Sequence, residues 1–459
     1  MFRFLSCIAA FAWLALPCRA DEPPASTETS ISLGVEPAFA PKPALRYVFL
    51  PEFGETNPGN PIQDYIKCFM EQQKFFFDKQ EVERRESLLA MPLKELPAQE
   101  LQDYGGPALR QADWAARLDK PDWQIILPLK ADGYRTMIPD VQQMRVLTSA
   151  LKVRLRAEVA LGHFDAAVRT AKTLFAMSRH LGEHPTFVGE LVGIAVASAA
   201  IGPLEEMLQQ PGCPNLYWAL TYLPTPLVPL DKGADGERYW IQPLFRDLDD
   251  SAAMSAERLT SLISQLLGLI DDGEEGGPSP KARDWVDHQV KDEKLLGAAR
   301  RRLVEIGIPE ERLRTFPAEQ VILLDVRREC EERHDDALKL IHLPVWEVDH
   351  LSAQMDKAPP LFDTAPAIAR VRRAQTRLDQ RIALLRHVEA LRLYAAEHEG
   401  ALPVKLSDVA VPLPADPFDG KPFQYEVQGG TAHLRGRPPA SEEQNPAFKV
   451  HYEITLRVR

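Results

Sequence analysis

Cysteine is scarce in this 459-residue chain: five are present, and Cys7 and Cys18 fall within the first 20 residues. Cys68, Cys213 and Cys330 cannot all pair within one chain, and their spacing fits neither a metal-binding set nor a dense disulfide framework. One disulfide beside a free thiol stays open, as does burial of all three as small apolar residues. A Gly-x-Ser-x-Gly elbow, a phosphate-binding loop and a dinucleotide fingerprint are absent, so nothing local points to those three chemistries. Basic charge is also short. The formal net charge is -12, and it becomes more negative once Arg3 and Arg19 are set aside, so no basic face exists to displace counterions from nucleic acid. Long apolar runs are missing after residue 20. The best, residues 191–204, is broken by Gly193, Gly202 and Pro203 and reads as a buried core helix, not a membrane span.

What is present begins with an export signal. Arg3, an apolar stretch over residues 4–16 and the pattern Cys18-Arg19-Ala20 match a secretory signal peptide over residues 1–20, with cleavage near Ala20. Lipidation at Cys18 would need small residues before it, and Ala15-Leu16-Pro17 supplies a poor approach. The chain is therefore expected in the periplasm or outside the cell. Residues 21–44, rich in Pro, Ser, Thr and Glu, read as a flexible linker. A helical domain is expected over 45–240, a further helical region over 241–364, and a long helix plus a small β-sheet over 365–459.

Apolar periodicity carries these assignments. Met144, Leu147, Leu151, Leu155 and Val159 recur three or four apart; Gly162-His163 interrupts; Ala167, Val168, Ala171, Leu174 and Phe175 form a second stripe. This predicts a helical hairpin over 139–181. Helices are also expected over 62–89, around Leu259 to Ile270, and over about 367–398 with Pro366 in its first turn. The acidic stretch 271–280 lacks the alternating ligands of a calcium loop and reads as a surface linker. Residues 423–427 and 431–435, joined by Gly429-Gly430, read as a hairpin, and alternation at Tyr452, Ile454, Leu456 and Val458 as a last strand. The fold class is mainly α: packed helical hairpins, with a small C-terminal α+β unit of a long helix and a short antiparallel sheet.

The turn Gly162-His163-Phe164-Asp165-Ala166-Ala167 resembles that of a tetratricopeptide repeat over about one unit, with no second copy. Asn57-Pro58-Gly59-Asn60, residues 92–97, Pro139-Asp140-Val141-Gln142, that turn, and Gln210-Pro211-Gly212-Cys213-Pro214 with Asn215 to Trp218 together resemble a family of uncharacterised exported proteins of planctomycete-type bacteria. The resemblance spans most of the chain after the signal and implies export without assigning an activity or a functional residue. Residues 391–403, followed by Asp416-Pro417-Phe418-Asp419-Gly420-Lys421-Pro422-Phe423-Gln424-Tyr425, resemble the long-helix end and the turn of type II secretion major pseudopilins. Here the matching helix is internal and Arg-rich, so the resemblance implies a helix-plus-sheet shape and not pilus assembly.

One string could carry chemistry. His180-Leu181-Gly182-Glu183-His184 matches the inverted zincin motif, in which two His on one helical face hold zinc and the Glu acts as general base. Glu190, Glu205 or Glu206 could complete it. Gly182 and Pro185 oppose a continuous helix there, which favours a structural role for His180 and His184 near a helix C-terminus. His334-Asp335-Asp336 with His342, and Glu347 with Asp349-His350, read as solvated helix ends. Trp114, Trp123, Tyr217 and Trp218 could line a carbohydrate or peptide groove, with core packing the commoner fate of such rings. The leading expectation is an exported protein–protein interaction or scaffold module of the cell envelope, with another envelope protein as partner and no cofactor. The alternative is a metal-dependent hydrolase using zinc at His180, Glu183 and His184.

Overall fold

The computed structural model describes residues 28–70, 72–270, 280–354, 365–439 and 442–457. The signal sequence, residues 21–27 of the linker and nearly all of the acidic stretch 271–280 lie outside them.

The first ordered element overturns an expectation. β1 (Thr29–Val35) falls in the stretch assigned to a flexible linker, and it is a strand. Its apolar residues Ile31, Leu33 and Val35 alternate with small or polar ones, so one face can be buried, and Leu33 and Val35 are fully enclosed. Residues 62–89, expected as one helix, divide into α1 (Pro61–Met70), α2 (Gln73–Phe77) and α3 (Lys79–Ala90). Asp78 breaks the run because its extended backbone lets its carboxylate cap α3 through the Gln80 amide. Two short helices follow, α4 (Gly106–Ala115) and α5 (Ile126–Asp132).

The hairpin at 139–181 forms as α6 (Pro139–Ala160) and α7 (Phe164–Leu181). Gly162 supplies the reversal at φ +69°, a left-handed conformation that glycine adopts without penalty. Met144, Leu147, Leu151, Leu155 and Val159 are all buried against Ala167, Val168, Ala171, Leu174 and Phe175. α8 (Phe187–Leu208) then packs on both. It is long and apolar enough to cross a membrane, yet 72% of its apolar window is buried inside the protein, as expected of a core helix.

α9 (Tyr217–Thr221) and α10 (Asp231–Phe245) lead to a second cluster built by α11 (Ala256–Ile270), α12 (Pro280–Lys291), α13 (Glu293–Glu305), α14 (Glu310–Leu313) and α15 (Ala318–Lys339). Its core joins Phe245, Leu259, Leu303 and Leu323, separate from the main core. After α16 (Val345–Gln354), α17 (Ala365–Glu397) runs beside α8 and α9, and β2 (Gln424–Gln428), β3 (Thr431–Arg435) and β4 (Val450–Leu456) close the chain. The fold is thus mainly α with a small C-terminal α+β unit. The sheet order is β1-β4-β3-β2, with β1 parallel to β4 and the other pairs antiparallel. It is therefore mixed where an antiparallel sheet was expected, because a strand from the start of the described chain adds to its edge.

α8 and α10 meet through glycines. A Cβ on Gly236 would lie 1.9 Å from the Pro185 carbonyl oxygen, a backbone atom that cannot swing aside. Helix propensity alone would favour alanine by about 1 kcal/mol, but overpacking of this kind typically costs about 1–3 kcal/mol and here moves main chain. Gly236→Ala is expected to lower stability by about 2 kcal/mol net; urea unfolding that leaves it as stable as the parent would contradict this contact.

Candidate functional site

The string His180 to His184 straddles the end of α7. The helix stops at Leu181, and His184 lies in the turn before Thr186, the N-cap of α8. The two imidazoles therefore do not share a helical face. His180 Nδ1 meets the Tyr65 hydroxyl at 3.0 Å, and the Trp123 indole donates to the His180 carbonyl at 3.0 Å. His184 is enclosed, with Nδ1 2.9 Å from Thr186 Oγ1 and its ring 4.8 Å from that of Trp123. Burial pushes both rings down to about 4, so at neutral pH they are uncharged core groups.

The residues offered as a third ligand are engaged elsewhere. Glu206 pairs with Arg156 at 2.7 Å. Glu205 accepts from Arg381 and from the Tyr452 hydroxyl, tying α8 to α17 and the sheet. Glu190 accepts from the Gly233 amide at 2.6 Å, and Glu183 is half-buried in the turn. Among the described residues, His180, Glu183 and His184 belong to no group of three metal-binding side chains; the set that does converge is His433, His451 and Glu453. This geometry does not support the alternative zinc reading at 180–184: the motif is present as a string, and Gly182 and Pro185 end the helix that would align it.

Of the thinner groupings, His334 is buried inside α15, where a solvated helix end was expected, because it lies on the inward side of that helix, while the other members are exposed or half-buried. Asp336 pairs with Lys339 at 2.5 Å, His342 lies 3.8 Å from Asp231, Asp349 pairs with Arg373 at 3.2 Å and His350 contacts Gln354 at 2.9 Å. Glu347 follows directly on the start of α16, where a carboxylate suits the helix dipole. The three cysteines are buried and free, and burial raises each thiol well above its ordinary value. None is an activated nucleophile.

Two of the depressions among the described residues bear on function. A cleft of about 760 Å³ lies where α5, α10 and α15 meet, lined by Lys130, Glu237, Arg246, Arg327, Cys330 and Asp335. Burial pushes the Glu237 carboxyl up to about 7, while its Oε1 accepts from the Phe187 amide at 3.3 Å. A carboxyl titrating near neutrality in a cleft can serve as acid or base. Periodicity could not reveal it, because its environment is assembled from three distant helices. Beside it the Cys330 thiol stays protonated, so the cleft offers a proton-transfer group and charged anchors without an activated thiol.

The second depression is a groove of about 710 Å³ between α17, α9 and the extended segments on either side, lined by Phe39, Lys42, Trp218, Leu393, Tyr394 and Val411. Phe39 is 66% exposed. Tyr217 stands behind Trp218 at 5.0 Å and its hydroxyl donates to the Pro412 carbonyl. Of the four aromatic residues singled out from the sequence, Trp218 lines this groove and its neighbour Tyr217 is buried behind it. Trp123 packs on His184 in the core, and Trp114 stands half-exposed on α4. No protein-family model matches the chain, and no curated protein or solved structure is similar to it.

Proposed function

We propose that this protein is an exported interaction module of the cell envelope that receives an extended, apolar segment of a partner protein in the groove at Phe39 and Trp218. The observation that carries this reading is the 66% exposure of Phe39 at the lip of a groove whose other walls are mainly aromatic and aliphatic. Exposed apolar surface gathered in a concavity is a recurrent feature of peptide-binding sites, where alternate side chains enter pockets. Lys42 and Glu397 also line it, which suits a partner strand with an apolar centre and charges of opposite sign flanking it. The reading of export rests on the signal-like residues 1–20.

The test is selection of extended peptides from a displayed library on the chain from residue 21 onward, followed by titration against Phe39→Glu. Phe39 is largely exposed, so the variant should keep the parent's unfolding midpoint. Aliphatic peptides that bind the parent and lose at least tenfold in affinity with Phe39→Glu would support the proposal. Selected peptides indifferent to this substitution, or none at all, would reject it.

A further inference from the structure

The outer face of the C-terminal sheet carries a constellation that neither the groove nor the cleft uses. Register places Glu426, His433, Glu453 and Ser32 on one rung across all four strands, with Arg435, His451 and Ser30 on the next. His433 Nδ1 and His451 Nε2 face each other at 3.0 Å, and the ligand atoms of His433, His451 and Glu453 all lie within 4.8 Å of one another. His451 is buried and the other two are half-buried.

We infer that His433, His451 and Glu453 form a binding site for a first-row divalent cation, with zinc the best fit. Two imidazoles and one carboxylate are a donor set zinc accepts, and donors at 2.0–2.1 Å from a tetrahedral ion stand about 3.3 Å apart. The imidazole pair is within a few tenths of an ångström of that spacing, and the carboxylate closes the remainder by a swing of about 1.5 Å at most. The supporting contacts are the stronger argument. His451 Nδ1 lies 3.1 Å from Glu28 Oε1, so the ring gives that proton to a carboxylate and leaves Nε2 as the ligating lone pair. Ser32 Oγ donates to Glu453 Oε2 at 3.0 Å, which orients the third ligand. Ligands come from β3 and β4 while the residues that orient them come from β1 and the segment before it. The ion would thus fasten the first strand of the described chain to the last two, with a fourth position left to water.

The chain from residue 21 onward, stripped with chelator and dialysed, is titrated with zinc by calorimetry and with cobalt by visible absorption. One equivalent is expected, with the absorption of a four-coordinate cobalt centre and a higher melting temperature for the loaded protein. His433→Ala should lower affinity at least 100-fold, and Glu28→Gln, which touches no metal, by about 10- to 100-fold. Should His433→Ala fold poorly by circular dichroism, Glu453→Gln on the same solvent-facing rung replaces it with the same expectation. The inference is overturned if no stoichiometric ion binds, or if binding survives these substitutions and is lost instead in the His180→Ala, His184→Ala double variant.

Discussion

Arg392→Ala is expected to destabilise the protein by about 3–5 kcal/mol, the usual consequence of leaving one member of a buried ion pair alone. Arg392 is the largest fully enclosed side chain, and its pair with Glu389, at 2.8 Å, is 1% and 0% exposed. The guanidinium also donates to the carbonyls of Glu36 at 2.8 Å, Cys213 at 2.7 Å and Pro214 at 3.2 Å. One side chain of α17 thus joins the segment after β1 to the loop before α9. Glu389 is itself held by the Leu216 amide at 2.9 Å, so removing the arginine strands an anionic group and three carbonyls together. Replacing both partners, Arg392→Met with Glu389→Leu, should cost less than the sum of the single changes, because no charge is then left unpaired. Urea unfolding of the four proteins in that cycle measures the coupling, and Arg392→Ala is unfolded beside them; a loss below about 1 kcal/mol for Arg392→Ala would mean that the hub contributes little.

Alkaline weakening traced to a single carboxyl is the second large effect. Glu190 is fully buried, one oxygen bonded to the Gly233 amide and the other without a partner, and burial pushes its carboxyl from an ordinary 4.5 up to about 10. In the unfolded chain it ionises near its ordinary value, so the unfolded state loses this proton first. Stability is then lost as pH rises through that window, at about 1.4 kcal/mol per pH unit. Glu237 and Asp379, pushed up to about 7, act with the same sign but finish near neutrality. His180, His184 and His387, pushed down to about 4 by burial, act oppositely: stability falls as pH drops from about 6.5. Below neutrality these two sets offset one another. Between pH 7 and about 8.5, before the buried thiols contribute, Glu190 continues alone among these groups, and the parent should lose about 2 kcal/mol. Glu190→Gln shifts stability by an amount independent of pH and should flatten that slope; equal slopes for the two proteins would show that Glu190 is ionised in the folded chain.

What the sequence determined by itself is the local architecture. The 3.6-residue stripe from Met144 to Val159, the glycine at 162 and the second stripe to Phe175 specify a hairpin from neighbouring residues alone, and the structure reproduces it within a residue or two. The same holds for α17 and for the hairpin of β2 and β3, whose Gly429 and Gly430 both adopt positive φ. Tertiary structure decided everything that depends on partners far along the chain. Residues 29–35 alternate like a strand, but nothing near them could pair, because the partner β4 lies more than 400 residues away. Glu237 gained its shifted carboxyl, and Arg392 its carbonyl cage, from segments the sequence gives no means of bringing together. The string from His180 to His184 spelled a metal motif that a helix end takes apart, whereas His433 and His451, 18 positions apart and in no motif, are brought face to face by strand register. Periodicity and turn chemistry act between residues a few positions apart and can be read directly, while a site is the product of packing and register, which only the complete set of long-range contacts fixes.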